Sequence, residues 1–155
     1  MDPAVLLHIM EKQKLTPQEM NKLLNNMSGV KGISGISNDM RLLIEKAAEG
    51  NQRAQLALDI FVYRIVKYIG AYVAAMGGAD AIVFTGGIGE NATAIRAKIL
   101  EPLAFLGAEL DPVRNASDAK EKVVTTDGSR IAAWVVPTNE ELSIAQKTRG
   151  IVESA

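Results

Sequence analysis

Residues 84–91 read FTGGIGEN, and the reading of this stretch decides the fold. The apolar run AIVF at 81–84 precedes the glycines and a helical pattern at 91–106 follows, so the order is strand, glycine turn, helix. Gly86, Gly87 and Gly89 have no Cβ, which permits positive φ and lets another group approach the main chain. The first amides of the following helix carry partial positive charge. That combination suits a nucleotide, through its phosphates or through sugar and base packed over the turn. The alternative is a tight strand-to-helix turn with no ligand.

Outward from this turn, the carboxyl side alternates. A β-branched run at 122–125 and RIAAWVV at 130–136 read as strands, and Pro137-Thr138 leads into a last helix over 139–152. The polar, proline-interrupted segment 111–121 reads as a surface connection. The amino side reads as helices in series: 3–12, a second opened by Thr16-Pro17-Gln18-Glu19, 39–49, and a long one over 52–76. Thr16 with Glu19 three residues later makes a capping box with proline at the first helical position. In the long helix Ala54, Leu58, Phe61, Ile65, Tyr68 and Tyr72 share one face, and Val62, Val66, Ile69 and Val73 form a second apolar row. A helix apolar on two sides is expected to be buried on two sides, either as a central core helix or with its second row against a partner subunit. Strands alternating with helices predict an α/β sheet covered by helices.

Composition bounds the function. The chain has 155 residues, 48% hydrophobic and 23% charged, with a net charge of −1, which fits one domain over 1–155, mostly helical over 1–76 and alternating over 77–155. This balance favours no nucleic-acid partner. No apolar run approaches a membrane span and the amino terminus lacks a signal-peptide pattern. The absence of cysteine removes disulfides and thiolate metal sites, so the expected compartment is the cytoplasm.

Three constellations could carry chemistry. Residues 87–92 fit the dinucleotide fingerprint G-x-G-x-x-A, with Glu109 or Asp111 downstream as a ribose-binding acid. That oxidoreductase reading places Glu90 where a pyrophosphate would sit, and it leaves too few strands and no role for the helical first half. In PTNEEL, Thr138 can cap the last helix and Glu141 can close its capping box, which leaves Glu140 to hold Mg²⁺ or merely to favour the helix start. In SGISNDMR at 34–41, Asp39 could accept from ribose hydroxyls and Arg41 could stack on a base or meet a phosphate. The bland reading there is a capped helix with a charge pair.

FTGGIGEN, SNDMR, the opening DPAV, VYRIVKYIGAY at 62–72 and PTNEELSIAQ together resemble the carboxyl-terminal part of the short-chain acyl kinases, the family of acetate, propionate and butyrate kinases. The resemblance runs over practically the whole chain. It implies an α/β, ribonuclease H-like domain of the actin, sugar kinase and Hsp70 superfamily. It implies a cytoplasmic, Mg²⁺-requiring enzyme that uses ATP to convert acetate, or another short-chain carboxylate, to the acyl phosphate and makes ATP from ADP in reverse. The Asp39, Met40, Arg41 segment is implied to contact adenosine, while Gly87, Ile88, Gly89, Glu90 and Asn91 complete the nucleotide pocket and Glu140 is the carboxylate associated with Mg²⁺. Homodimers formed through carboxyl-terminal helices are also implied.

Family members are more than twice as long. The absent amino-terminal domain holds the acyl pocket and the groups that steady the phosphoryl transfer, so no catalytic residue is expected in this chain, and isolated it is expected to bind nucleotide without turnover. Asp2-Pro3 resembles the middle of a G-D-x-D-P motif, which implies that Met1 is an internal methionine or an added start. His8, the single histidine, lies outside these motifs and reads as structural.

Overall fold

In the first half of the chain, local signals set each helix boundary. The computed structural model describes residues 2–153, so Met1 lies outside the described residues. Asp2 caps α1 (Pro3–Gln13) by accepting from the Ala4 N–H at 2.9 Å, and the helix ends at Lys14 in the left-handed region. The Thr16–Glu19 capping box is formed in both directions and opens α2 (Pro17–Lys22), which runs on as a π-helical turn to Met27. α3 (Gly29–Ser34) occupies a stretch the sequence reading left without an element; the Arg53 guanidinium binds the Ile33 carbonyl near its end, at 3.0 and 2.6 Å. α4 (Met40–Ala48) and α5 (Gln52–Met76) complete the series.

The residues divide into two compact units, one up to Arg64 and one from Ile65, with the division inside α5. Buried apolar residues of the first unit are Met20, Met40, Leu43, Ala54, Ala57, Leu58 and Val62.

Burial on two sides of the long helix is not observed. Only Ala54, Ala57, Leu58 and Val62 of α5 are buried, whereas Tyr63, Tyr68, Tyr72 and Met76 are exposed and the Tyr68 and Tyr72 rings stack on each other at 6.2 Å. Apolar periodicity predicts a face that prefers to leave water; it does not supply the layer that covers it.

The second unit is built on a three-stranded sheet of order β1-β3-β2, with β1 (Ala81–Phe84) parallel to β3 (Ala132–Val135) and β2 (Lys122–Val123) antiparallel to β3. β2 is shorter than the β-branched run because Thr125 instead bridges to Leu110. The helix expected over 91–106 is three pieces: α6 (Gly86–Asn91), α7 (Thr93–Leu100) and a 3₁₀ helix (Glu101–Leu106). Ala92, at φ −91° and ψ 74°, leaves the helical region and separates the first two. Pro102 has no N–H to continue α7. The polar connection carries a short helix of its own, α8 (Pro112–Ala116), capped by Asp111. The fingerprint's Asp111 is therefore engaged as a helix cap. α9 (Glu140–Glu153) is exposed throughout.

The sheet buries one face. Phe84, Val124, Ala133 and Val135 are buried with Ile95, Ile99, Leu100 and Leu103, whereas Val83 and Trp134, paired in register, are exposed. Each fully buried Leu or Ile contributes about 1.5–3 kcal/mol.

Candidate functional site

β1 and β3 are parallel neighbours with Phe84 opposite Val135, so their carboxyl ends open on one edge of the sheet. Ligands of open α/β sheets bind at such edges. β1 continues through Thr85 into α6, and β3 continues through Pro137 and Thr138 into α9. Between them lies an open depression of about 400 Å³, lined by Gly86, Gly87 and Glu90 on one side and by Thr138, Asn139, Glu140 and Glu141 on the other.

The glycines are required for different reasons. Gly86 has φ +70°, the left-handed region. Gly89 packs against the end of β1, where a Cβ would stand 3.0 Å from the Phe84 carbonyl carbon. Gly87 has neither demand: nothing lies within 4 Å of the Cβ it would carry, and its φ is not positive. Two of the three are thus explained by the chain itself; Gly86 and Gly87 both leave open space at the depression, and only at Gly87 does the backbone make no demand for glycine. The expected turn is itself helical, and the Gly86 N–H at its start already donates to Thr138 Oγ1 at 3.0 Å.

Thr138 does not make the expected capping box with Glu141. Its hydroxyl binds Gly86 N and shares a 2.6 Å hydrogen bond with Thr85 Oγ1, and Asn139 caps the start of α9 by accepting from the Leu142 N–H at 3.0 Å. The Thr138 N–H donates to Glu90 Oε1 at 2.9 Å. Asn91 turns back on α6, donating from Nδ2 to the Gly87 carbonyl at 2.9 Å, while Ile88 is exposed.

Glu140 stands exposed in the first turn of α9 at the rim of the depression. Among the described residues no group of three or more His, Cys, Asp and Glu gathers as a metal cage. With Glu90 engaged by the Thr138 N–H, Glu140 and Glu141 leave carboxylates beside an open, polar space, which fits Mg²⁺, since that ion keeps several waters and takes one or two carboxylates with substrate phosphates.

Sequence reasoning missed the group that holds α6 in place. Arg96 is 1% exposed, and all five of its donors are engaged: Nε with Asn115 Oδ1 (2.8 Å), Nη1 with the Gly89 (2.9 Å) and Glu90 (2.8 Å) carbonyls, Nη2 with Thr93 Oγ1 (3.2 Å) and the Asn115 carbonyl (2.9 Å). Burial pushes the guanidinium below its ordinary pKa. The carbonyls at the end of α6 carry the partial negative charge that offsets this burial. The signal was present, since Arg96 lies three and four residues before the buried Ile99 and Leu100, on the apolar face of α7.

In the first unit, Asp39 caps α4 by accepting from the Arg41 N–H at 2.9 Å, and its carboxylate pairs with the Arg41 guanidinium at 2.8 Å. The hydrogen bonds from the Arg41 side chain, and then from its backbone, hold the Asp39 carboxyl at a pKa of about 2. Met40 is buried and its side chain belongs to the interior, whereas the Arg41 side chain is 91% exposed.

The chain matches the family model described as the Acetokinase family over residues 1–146. It is 53% identical to the acetate kinase of Desulforamulus reducens over 152 residues, covering 98% of this chain and 38% of the relative. It is 48% identical to that of Methanosarcina thermophila over 153 residues, with coverage of 99% and 38%. Among solved structures, Porphyromonas gingivalis acetate kinase superposes with a TM-score of 0.86 at 43% identity, covering 98% of this chain and 38% of that one. A propionate kinase from Francisella tularensis gives 0.82 at 40% identity, with coverage of 94% and 37%. The chain therefore spans about two fifths of the length of these relatives.

Proposed function

The chain belongs to the acetokinase family, and on that premise we propose that it is the nucleotide-side, carboxyl-terminal part of an ATP-dependent acyl kinase. Its fold is α/β, of the ribonuclease H-like kind found in the actin, sugar kinase and Hsp70 superfamily. The whole enzyme phosphorylates acetate, or another short-chain carboxylate such as propionate, to the acyl phosphate and makes ATP from ADP in reverse. The observation that carries this reading is the depression at the carboxyl ends of β1 and β3, with Gly87 open on one side and Glu140 on the other.

Roles follow within each unit. In the first, Asp39 and Arg41 on either side of the buried Met40 are assigned to adenosine. In the second, the segment Gly87, Ile88, Gly89, Glu90 and Asn91 is assigned to the nucleotide, and Glu140 to Mg²⁺, which when bound would neutralise phosphate charge. The exposed Tyr68, Tyr72 and Met76, which share one side of α5, support association into a homodimer. The reading includes a cytoplasmic setting; among the described residues no helix is long and apolar enough to cross a membrane.

Phosphoryl transfer depends on positioning and on charge stabilisation around aligned attacking and leaving oxygens. The chain alone is therefore a nucleotide-binding module without turnover, and the acyl pocket belongs to polypeptide that the relatives have and this chain does not. The test is an acyl hydroxamate assay with Mg·ATP and acetate or propionate. The chain alone should form no acyl phosphate, and co-production with the remaining polypeptide of the Desulforamulus reducens relative should restore formation. Turnover by the chain alone contradicts its assignment as one side of the site. No turnover from the folded, assembled pair contradicts the kinase reading.

A further inference from the structure

We propose that Glu90 is a positioning residue: its carboxylate, anchored through its own backbone by Arg96, grips the Thr138 N–H and so fixes the turn that presents Glu140. The inference rests on the metal-and-nucleotide reading of this depression and gives the Glu90 side chain a task other than binding the ligand.

The need for such a grip follows from the strand pairing. Val136 N donates to the Phe84 carbonyl at 2.9 Å, the last bond between the two strands. Donors toward β1 alternate along β3, as at Ala132 and Val136, so Pro137 falls on the other side and takes no part in this ladder. Thr138 N–H is the next donor, and β1 has by then turned into α6 and offers it no carbonyl. Glu90, one helical turn after Gly86, brings its Oε1 to 2.9 Å from that nitrogen. A charged acceptor makes this bond roughly twice as strong as a neutral one.

The same residue is held from the other side. Arg96 binds the Glu90 carbonyl at 2.8 Å and the Gly89 carbonyl at 2.9 Å from within the interior. Thr138 closes the circuit, since its hydroxyl accepts from Gly86 N at the opposite end of α6. Asn139 and Glu140 follow immediately, so the start of α9 takes its place from α6. One buried cation thereby sets the nucleotide segment and the metal carboxylate as a single rigid piece.

The substitution that separates this role from a charge role is Glu90→Gln. The amide oxygen can still accept from Thr138 N–H but carries no charge, whereas Glu90→Ala removes the acceptor. In the ¹⁵N-labelled chain, E90A should speed exchange of the Thr138 amide about tenfold and shift the Asn139, Glu140 and Glu141 signals, with E90Q remaining close to the parent. Glu90 is partly exposed, so these variants are not expected to unfold the chain. Arg96→Lys, which cannot reach both carbonyls and Asn115 together, should move the same four signals. An unchanged Thr138 amide in E90A, or an E90Q that behaves like E90A, overturns the proposal.

In the assembled enzyme, E90A should lower kcat further than E90Q does. If the assembled enzyme makes no acyl phosphate while the amide responses hold, the kinase reading fails and the positioning role stands.

Discussion

Arg96 and Asn115 bind each other twice in the interior, Nε to the side-chain oxygen at 2.8 Å and Nη2 to the main-chain carbonyl at 2.9 Å. Asn115 also donates to the Thr93 carbonyl at 3.1 Å, which ties α8 to the start of α7. Asn115→Ala leaves a guanidinium donor unpaired where water cannot replace the partner. It should destabilise the chain by about 2 kcal/mol, read from the urea unfolding midpoint at constant slope.

The two glycines at the centre of α6 should respond in opposite ways. At Gly89 an added Cβ meets the β1 backbone at 3.0 Å, so Gly89→Ala should lower the thermal midpoint. Gly87→Ala has room and a helical backbone, so stability should be kept or raised, by up to about 1 kcal/mol. The same methyl would intrude on the depression, so G87A should weaken Mg·ADP binding in the assembled enzyme. Calorimetric titration beside thermal melts separates the two effects.

Asp39 titrates far below an ordinary carboxyl group. Because its folded pKa of about 2 lies beneath its unfolded value, its contribution to the start of α4 is present above that unfolded value and is lost as pH falls toward 2. Carboxyl ¹³C shifts should therefore show Asp39 still ionised near pH 3. Arg41→Ala removes the main cause of the depression and should move the midpoint upward toward the ordinary range of about 3.9.

Leu100 and Phe105 lie five positions apart and test where the interior begins. Leu100 is fully buried, and Leu100→Ala should cost about 2–5 kcal/mol through lost burial and the cavity left behind. Phe105 is 81% exposed, and Phe105→Ala in the same chain should change stability by no more than about 0.5 kcal/mol. Equilibrium unfolding of the two variants side by side checks the contrast.

Much of the architecture was legible in the sequence. The helical run to Met76, the Thr16–Glu19 box and the order strand, glycines, helix all come from signals between residues at most a few positions apart. The chain carries those interactions with it whatever else it touches. The depression at the end of β1 was legible in part, because glycines after an apolar run leave the main chain bare at a strand end.

Tertiary structure decided which polar groups are occupied. Thr138 has good capping chemistry, and by local rules it should have capped α9; instead the pairing of β1 with β3 brings Gly86 N and Thr85 within reach, and Asn139 takes the cap. The pairing likewise gives Glu90 a partner 48 positions away. A buried role for Arg96 and an uncovered face on α5 are of the same kind, since both depend on what the fold packs nearby. A hydroxyl or carboxylate has few bonds to make, and local sequence names its candidates, but only the assembled sheet determines which candidate stands at hydrogen-bonding distance.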